Sequence, residues 1–245
     1  MRKYYSILFL LFFISCNKAY VPVNYSFNEM RLEDGAIADS VTVKKIQPYK
    51  DSLDAQMNEV VAFSAKTLVR AQPECDLGNL LVDMLLDKAQ KVTGGKIDFA
   101  VMNYGGVRIP EMPAGNITRG RVFELMPFEN RLVAVTIDGK TAEAMFNQMA
   151  KFGGWPVAGV TYVIKEGRAE SILIKGAPLN LNNMYTFAVS DYIAGGGDKM
   201  DMLKGKPAQD LQITIRDVFM EAFREMNRQG KKADANIEGR VTVVK

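Results

Sequence analysis

The chain has 245 residues, 48% of them apolar and 24% charged, with a formal charge of +3. That is the composition of an ordinary globular protein of one or two domains, and so weak a positive balance gives no reason to expect a nucleic-acid partner. It contains no histidine at all, which removes the usual neutral-pH general base and the commonest metal ligand.

Arg2 and Lys3, followed by the apolar run Tyr4 to Ile14, read as a signal peptide over residues 1–15, too short to anchor stably across a bilayer. The run ends at Ile14-Ser15-Cys16, which resembles a bacterial lipoprotein cleavage site despite the bulky Phe13. The alternative is an ordinary signal peptide with an incidental cysteine. Lipidation of Cys16 would tie the mature chain to a membrane of the bacterial envelope, periplasmic or surface-facing. Cys75 would then be the one thiol left, so no intrachain disulfide is expected, and a buried inert thiol is the favoured reading.

Residues 16–40 are polar and aperiodic apart from a short strand at Val21 to Ser26, and read as a tether. A single domain is expected over 41–245. Tyr49 to Asn58 is helical in composition, and Val60 to Ser64 switches to a strand. Asp76-Leu77-Gly78-Asn79 opens an amphipathic helix with Leu80, Leu81, Met84 and Leu85 on one face, closed by Gly94-Gly95. Ile97 to Met102 is a buried strand, which places Asn103 to Arg108 on a loop at its C-terminal end. Arg131 to Ile137 alternates as a strand, Asp138-Gly139 turns, and Thr141 to Lys151 is a helix. Strands follow at Thr161–Ile164, Ser171–Ile174 and Tyr185–Val189, then the glycine run 195–197. A helix from Ala208 to Arg228 and a strand from Arg240 to Val244 close the chain. Strands outnumber what a doubly wound sheet would need, so the predicted fold is α/β of the mixed α+β kind, one domain with mixed sheets flanked by helices.

Three segments carry chemistry: N-Y-G-G-V-R (103–108), M-P-F-E-N (126–130) and Y-I-A-G-G-G-D (192–198). Each alone has a bland explanation as a tight turn, a core aromatic or a flexible loop. Together they place two aromatics, a fixed cation, two amides and a carboxylate on loops. Those are the parts that hold a nucleoside. Aromatic faces stack a base, a carboxylate accepts from a ribose diol, and arginine forks onto phosphate or ribose oxygens. Amides read heteroatoms on a base edge.

These segments, with E-C-D-L-G-N-L-L-V-D (74–83) before them, resemble in order the C-terminal domain of the 5′-nucleotidase family, over about Tyr49 to Asn236. The resemblance implies a substrate-binding domain for nucleotides or nucleosides. Phe128 and Tyr192 would be the stacking pair, and Asp198 would hold the ribose hydroxyls. Asn130 would contact the base, and Asn103 and Arg108 would line the cleft. Gly159 would offer a backbone contact, and Arg70 lies near a further pocket arginine whose aligned position falls on Ala71. Tyr192 stands where phenylalanine is more familiar. The family's enzymes carry an N-terminal metallophosphoesterase domain with two metal ions, and the thirty or so residues after the signal are too few for one. The resemblance therefore implies no catalytic residue, metal or cofactor in this chain, with divalent metals on a separate metallophosphoesterase partner. Two other readings stand beside it: a lipid-anchored nucleotide receptor without turnover, and a surface protein that kept the fold and lost the ligand.

Overall fold

The computed structural model describes residues 26, 28 and 38–244. The signal peptide, Cys16 and nearly all of the tether with its strand at Val21 to Ser26 lie outside the described residues. The chain divides into two units, 1–46 and 47–245. The described part of the first includes the start of helix α1 (Ser40–Met57), which has no buried residue. The helix begins well before the expected Tyr49 and runs through Pro48. Its start is fixed by Asp39, whose carboxylate accepts from the Val41 amide at 3.1 Å and the Thr42 hydroxyl at 2.7 Å.

In the second unit the elements run β1 (Val60–Ser64), β2 (Leu68–Val69), α2 (Asp76–Thr93), β3 (Phe99–Val101), β4 (Glu111–Met112), β5 (Gly115–Thr118) and α3 (Arg119–Leu125). They continue with β6 (Arg131–Asp138), α4 (Gly139–Lys151), β7 (Val157–Ala158), β8 (Val160–Lys165), β9 (Arg168–Ile174), β10 (Ala177–Pro178), β11 (Met184–Ser190) and α5 (Asp191–Ala194). The last are β12 (Ala208–Thr214), α6 (Ile215–Arg228) and β13 (Val241–Val244).

A five-stranded sheet in the order β12-β6-β11-β3-β7 forms the centre. Its neighbours pair antiparallel except β11 and β3, which are parallel with Phe187 opposite Phe99. Alternation along the strands sends side chains to two separate cores. Ala100, Leu132, Ala134 and Ala188 face α2 and α6, where Leu81, Leu85, Phe219 and Phe223 close the layer. Phe99, Val133, Val135, Ile137 and Phe187 face α4 and a four-stranded sheet, β10-β9-β8-β13. In that second core Phe99 stacks on Phe187 with ring centroids 5.0 Å apart. Three alanines on one face and mostly large residues on the other let two close-packed helices and a second sheet sandwich one sheet. The mixed sheets and flanking helices match the predicted class.

One stretch expected as helix is strand. Ala208 to Thr214, expected as the first turns of a long helix, is an edge strand against β6, with Ala208 opposite Val135 and Asp210 opposite Val133. The helix starts only at Ile215, where the Thr214 hydroxyl accepts from the Asp217 amide at 3.1 Å. Leu211 and Ile215 have helical spacing, but the ladder to β6 and the Arg131–Asp210 ion pair at 2.6 Å override it.

Candidate functional site

The parallel strands β3 and β11 end side by side, and the antiparallel β6 begins at that same end of the sheet. Register alone therefore gathers the loop after β3, the loop before β6 and the turn after β11. The N-terminus of α6 closes the group, its Ile215 amide donating to the Asn130 carbonyl at 2.8 Å. Ligand sites in open α/β sheets favour the C-terminal ends of parallel strands.

A cavity of about 360 Å³ opens there, lined by Asn103, Arg108, Phe128, Asn130, Tyr192 and Asp198. That volume falls at the small end of the range for small-molecule sites. Phe128 and Tyr192 are 39% and 49% exposed, although aromatics of this size normally supply core area. The Arg108 guanidinium lies 5.5 Å from the Phe128 ring centroid and donates to the Gly105 carbonyl at 3.3 Å. This leaves a cation and an open π-face at the mouth of the cavity.

The Tyr192 ring folds back over Gly197, where a Cβ would stand 2.5 Å from the ring carbons, so only glycine fits. Its hydroxyl donates to Asp198 Oδ1 at 2.9 Å and accepts from the Asp198 amide at 3.4 Å. Asn103 Nδ2 donates to Asp198 Oδ2 at 2.8 Å. Asp198 and Lys199 both adopt left-handed backbone, with φ of 49° and 60°, a conformation that costs about 1–3 kcal/mol per non-glycine residue unless held in place. The Tyr192 hydroxyl is what holds it. Donation to Asp198 raises the Tyr192 phenol above its ordinary pKa, because the neutral form makes that bond.

Two expected residues stand outside the lining. Arg70 lies behind the loop, donating from Nη1 to the Val107 carbonyl and covering the Tyr104 ring at 4.8 Å. It braces the 103–108 loop. Gly159 sits between β7 and β8 with φ of +77°, and a Cβ there would be 2.7 Å from the Asp98 carbonyl. Its glycine serves the close approach of two strands.

Other residues enter that the sequence reading did not name. Ser190 and Ile215 are also in the lining. Arg216, only 8% exposed, donates from Nη1 to the Phe128 carbonyl at 3.4 Å, pairs with the Glu129 carboxylate, and lies 4.4 Å over the Phe123 ring. With the Ile215 amide it clamps three consecutive residues, 128–130, that present the aromatic and the amide. The available signal was an arginine inside a helix beside its apolar stripe.

The donor set does not fit a divalent metal. Asp198 is the one carboxylate in the lining, and both its oxygens accept hydrogen bonds from the protein. Among the described residues no three acidic or thiol side chains stand together as metal ligands would. The site can stack, hydrogen-bond and attract an anion at Arg108; no chemistry at a metal is assigned to it.

A family model described as 5′-nucleotidase, C-terminal domain matches residues 57–205, more than half of the chain. A 5′-nucleotidase of Vibrio vulnificus is 28% identical over 230 residues, covering 89% of this chain and 40% of that protein. Protein UshA of Escherichia coli is 32% identical over 139 residues, covering 55% of this chain and 24% of its own length. The crystal structure of a 5′-nucleotidase precursor from Thermus thermophilus superposes with a TM-score of 0.71 at 29% identity, covering 84% of this chain and 44% of that one. The chain thus spans less than half the length of these relatives.

Proposed function

The chain belongs to the family of 5′-nucleotidase C-terminal domains, and on that premise we propose that it is the nucleotide-holding part of a 5′-nucleotidase-type phosphohydrolase, with a separately encoded metallophosphoesterase supplying the metals. The observation that carries this reading is the pair of exposed aromatics, Phe128 and Tyr192, on one cavity with Asp198. A base lies against the rings, and the ribose diol donates to Asp198, entering the bonds now made by Asn103 and Tyr192. The 5′-phosphate is held toward Arg108, and Asn130 reads the base edge. Lipidation of Cys16 would keep the protein in the bacterial envelope, where it would meet extracytoplasmic nucleotides.

Calorimetric titration with AMP and UDP-glucose tests the binding. Phe128→Ala is expected to weaken every base-containing ligand by about 1–3 kcal/mol. Asp198→Ala is expected to weaken ribose ligands and spare analogues lacking both hydroxyls. No binding at millimolar ligand, or the same ligand profile in both variants, sinks the assignment. Phosphate release on adding a metallophosphoesterase that lacks its own binding domain tests the partnership. Binding without release under any such addition leaves a receptor in place of an enzyme component. Radiolabelled palmitate incorporation that survives Cys16→Ser would remove Cys16 as the lipidation site, and no incorporation into the unaltered chain would remove the lipid anchor.

A further inference from the structure

The Asp198 turn has two sides. A second hollow of about 380 Å³ shares Gly105 and Asp198 with the first and continues along Tyr104, Phe152, Trp155 and Lys199. Its wall is aromatic. Phe152 and Trp155 are stacked with centroids 5.9 Å apart and planes 13° from parallel, and Phe152 is 36% exposed while Trp155 is buried. Gln72 pins this wall, donating from Nε2 to the Phe152 carbonyl at 2.6 Å and the Gly154 carbonyl at 2.8 Å. Tyr104 is backed by the Arg70 guanidinium. The two successive left-handed residues place Asp198 in the lining of both hollows and Lys199 in that of the second. Strain kept at such a turn points to a functional reason for aiming those two side chains.

We propose that the second hollow is a subsite for a second planar ring joined to the bound nucleoside through its ribose 3′ oxygen, so that the ligand class is 3′-extended nucleotides, of which a 3′–5′ dinucleotide is the simplest. This rests on the reading that places the base on Phe128 and Tyr192 and the ribose on Asp198. With the diol edge at Asp198, a 3′ substituent leaves the sugar at the boundary between the hollows, while a 5′ substituent leaves on the side of Arg108. The 2′ hydroxyl keeps its bond to Asp198. A phosphodiester at the boundary meets that carboxylate, and Lys199 and the Asn103 amide offset the repulsion. The second ring then lies on the Phe152 and Tyr104 faces, where stacking tolerates any base.

The test compares three ligands on the full chain by calorimetry: AMP, 5′-phosphoadenylyl-(3′→5′)-adenosine, and the 5′–5′ pyrophosphate-linked diadenosine. The 3′–5′ dinucleotide is expected to bind about tenfold tighter than AMP, within the range for one added stacked base. Phe152→Ala should remove most of that advantage and leave AMP affinity within about twofold, because Phe152 lines the second hollow and not the first; Lys199→Gln, which removes the cation without adding a negative charge, should remove part of the same advantage. Equal affinity for AMP and the 3′–5′ dinucleotide overturns the proposal, as does an advantage that survives both variants. A Phe152-dependent gain for the 5′–5′ dinucleotide overturns it too, because the extension would then leave by the other side of the sugar. Failure of AMP itself to bind, or indifference of AMP binding to Phe128→Ala, brings down the underlying site and this subsite with it.

Discussion

Two of the segments that carry the family resemblance have opposite fates in the folded chain. Glu74 to Asn79 is buried apart from the half-buried Asp76: Cys75 caps α2 through its sulfur, 3.3 Å from the Gly78 amide, and a Cβ on Gly78 would meet Pro156 at 2.7 Å. Asn79 is 1% exposed and donates to Glu74 Oε1 at 2.7 Å and to the Asn236 carbonyl at 2.9 Å. Tyr192 to Asp198 instead lies at the cavity, with Tyr192 half-exposed and Asp198 lining two hollows. A motif in sequence is thus a statement that a position matters; burial decides whether it matters to the fold or to a ligand. The thiol at Cys75 is buried and serves the first purpose.

The contrast is broken most severely by Asn79→Leu. It strips a partner from the buried Glu74 carboxylate, whose Oε2 already lacks one, and should cost about 3 kcal/mol of stability in urea unfolding. The nucleotide affinity of the folded protein should stay unchanged; a loss of affinity at full stability would mean that the buried segment touches the ligand. Arg216→Met tests the border between the two roles. Release of the 128–130 clamp should weaken nucleotide binding by about 1 kcal/mol, and the effect should vanish in a Phe128→Ala background if it acts by aiming that ring. Additive losses would instead assign Arg216 a general packing role.

A smaller effect is expected from Tyr192→Phe, which keeps the ring and removes the hydroxyl that holds the strained turn. Stability should fall by about 1 kcal/mol, while base stacking persists. In the unmodified ring, spectroscopic titration should find the phenol above its ordinary value near 10, and Asp198→Asn should bring it down. The least effect belongs to a residue outside both segments. Asp138, the cap of α4, is lowered from 3.8 to about 2, first by the Thr141 amide, then by the Thr141 hydroxyl, with Lys206 adding to both. A depressed carboxylate contributes stability above its unfolded pKa and loses it as pH falls through its folded one. Stability should therefore decline between about pH 4 and pH 2, less so in Asp138→Asn, with nucleotide affinity at neutral pH untouched in the variant.

Local signals determined a great deal of this protein. Alternation in Arg131 to Ile137, the apolar stripes of α2 and α4, and the loop placement of Asn103 and Phe128 are readable in sequence, because each depends on neighbours a few residues away, whereas Tyr192, expected on a loop, sits in the four-residue helix α5. Tertiary structure decided the rest. It made Ala208 to Thr214 a strand, since pairing to β6 outweighs helical spacing in a short polar run. It put Arg70 behind the pocket and Gly159 between strands, while bringing in Ile215 and Arg216 from the far end of the chain. The bond between Asn103 and Asp198 joins residues 95 positions apart, and no local pattern encodes such a contact. It exists because β3 and β11 run parallel and end together, and that pairing is a property of the whole sheet.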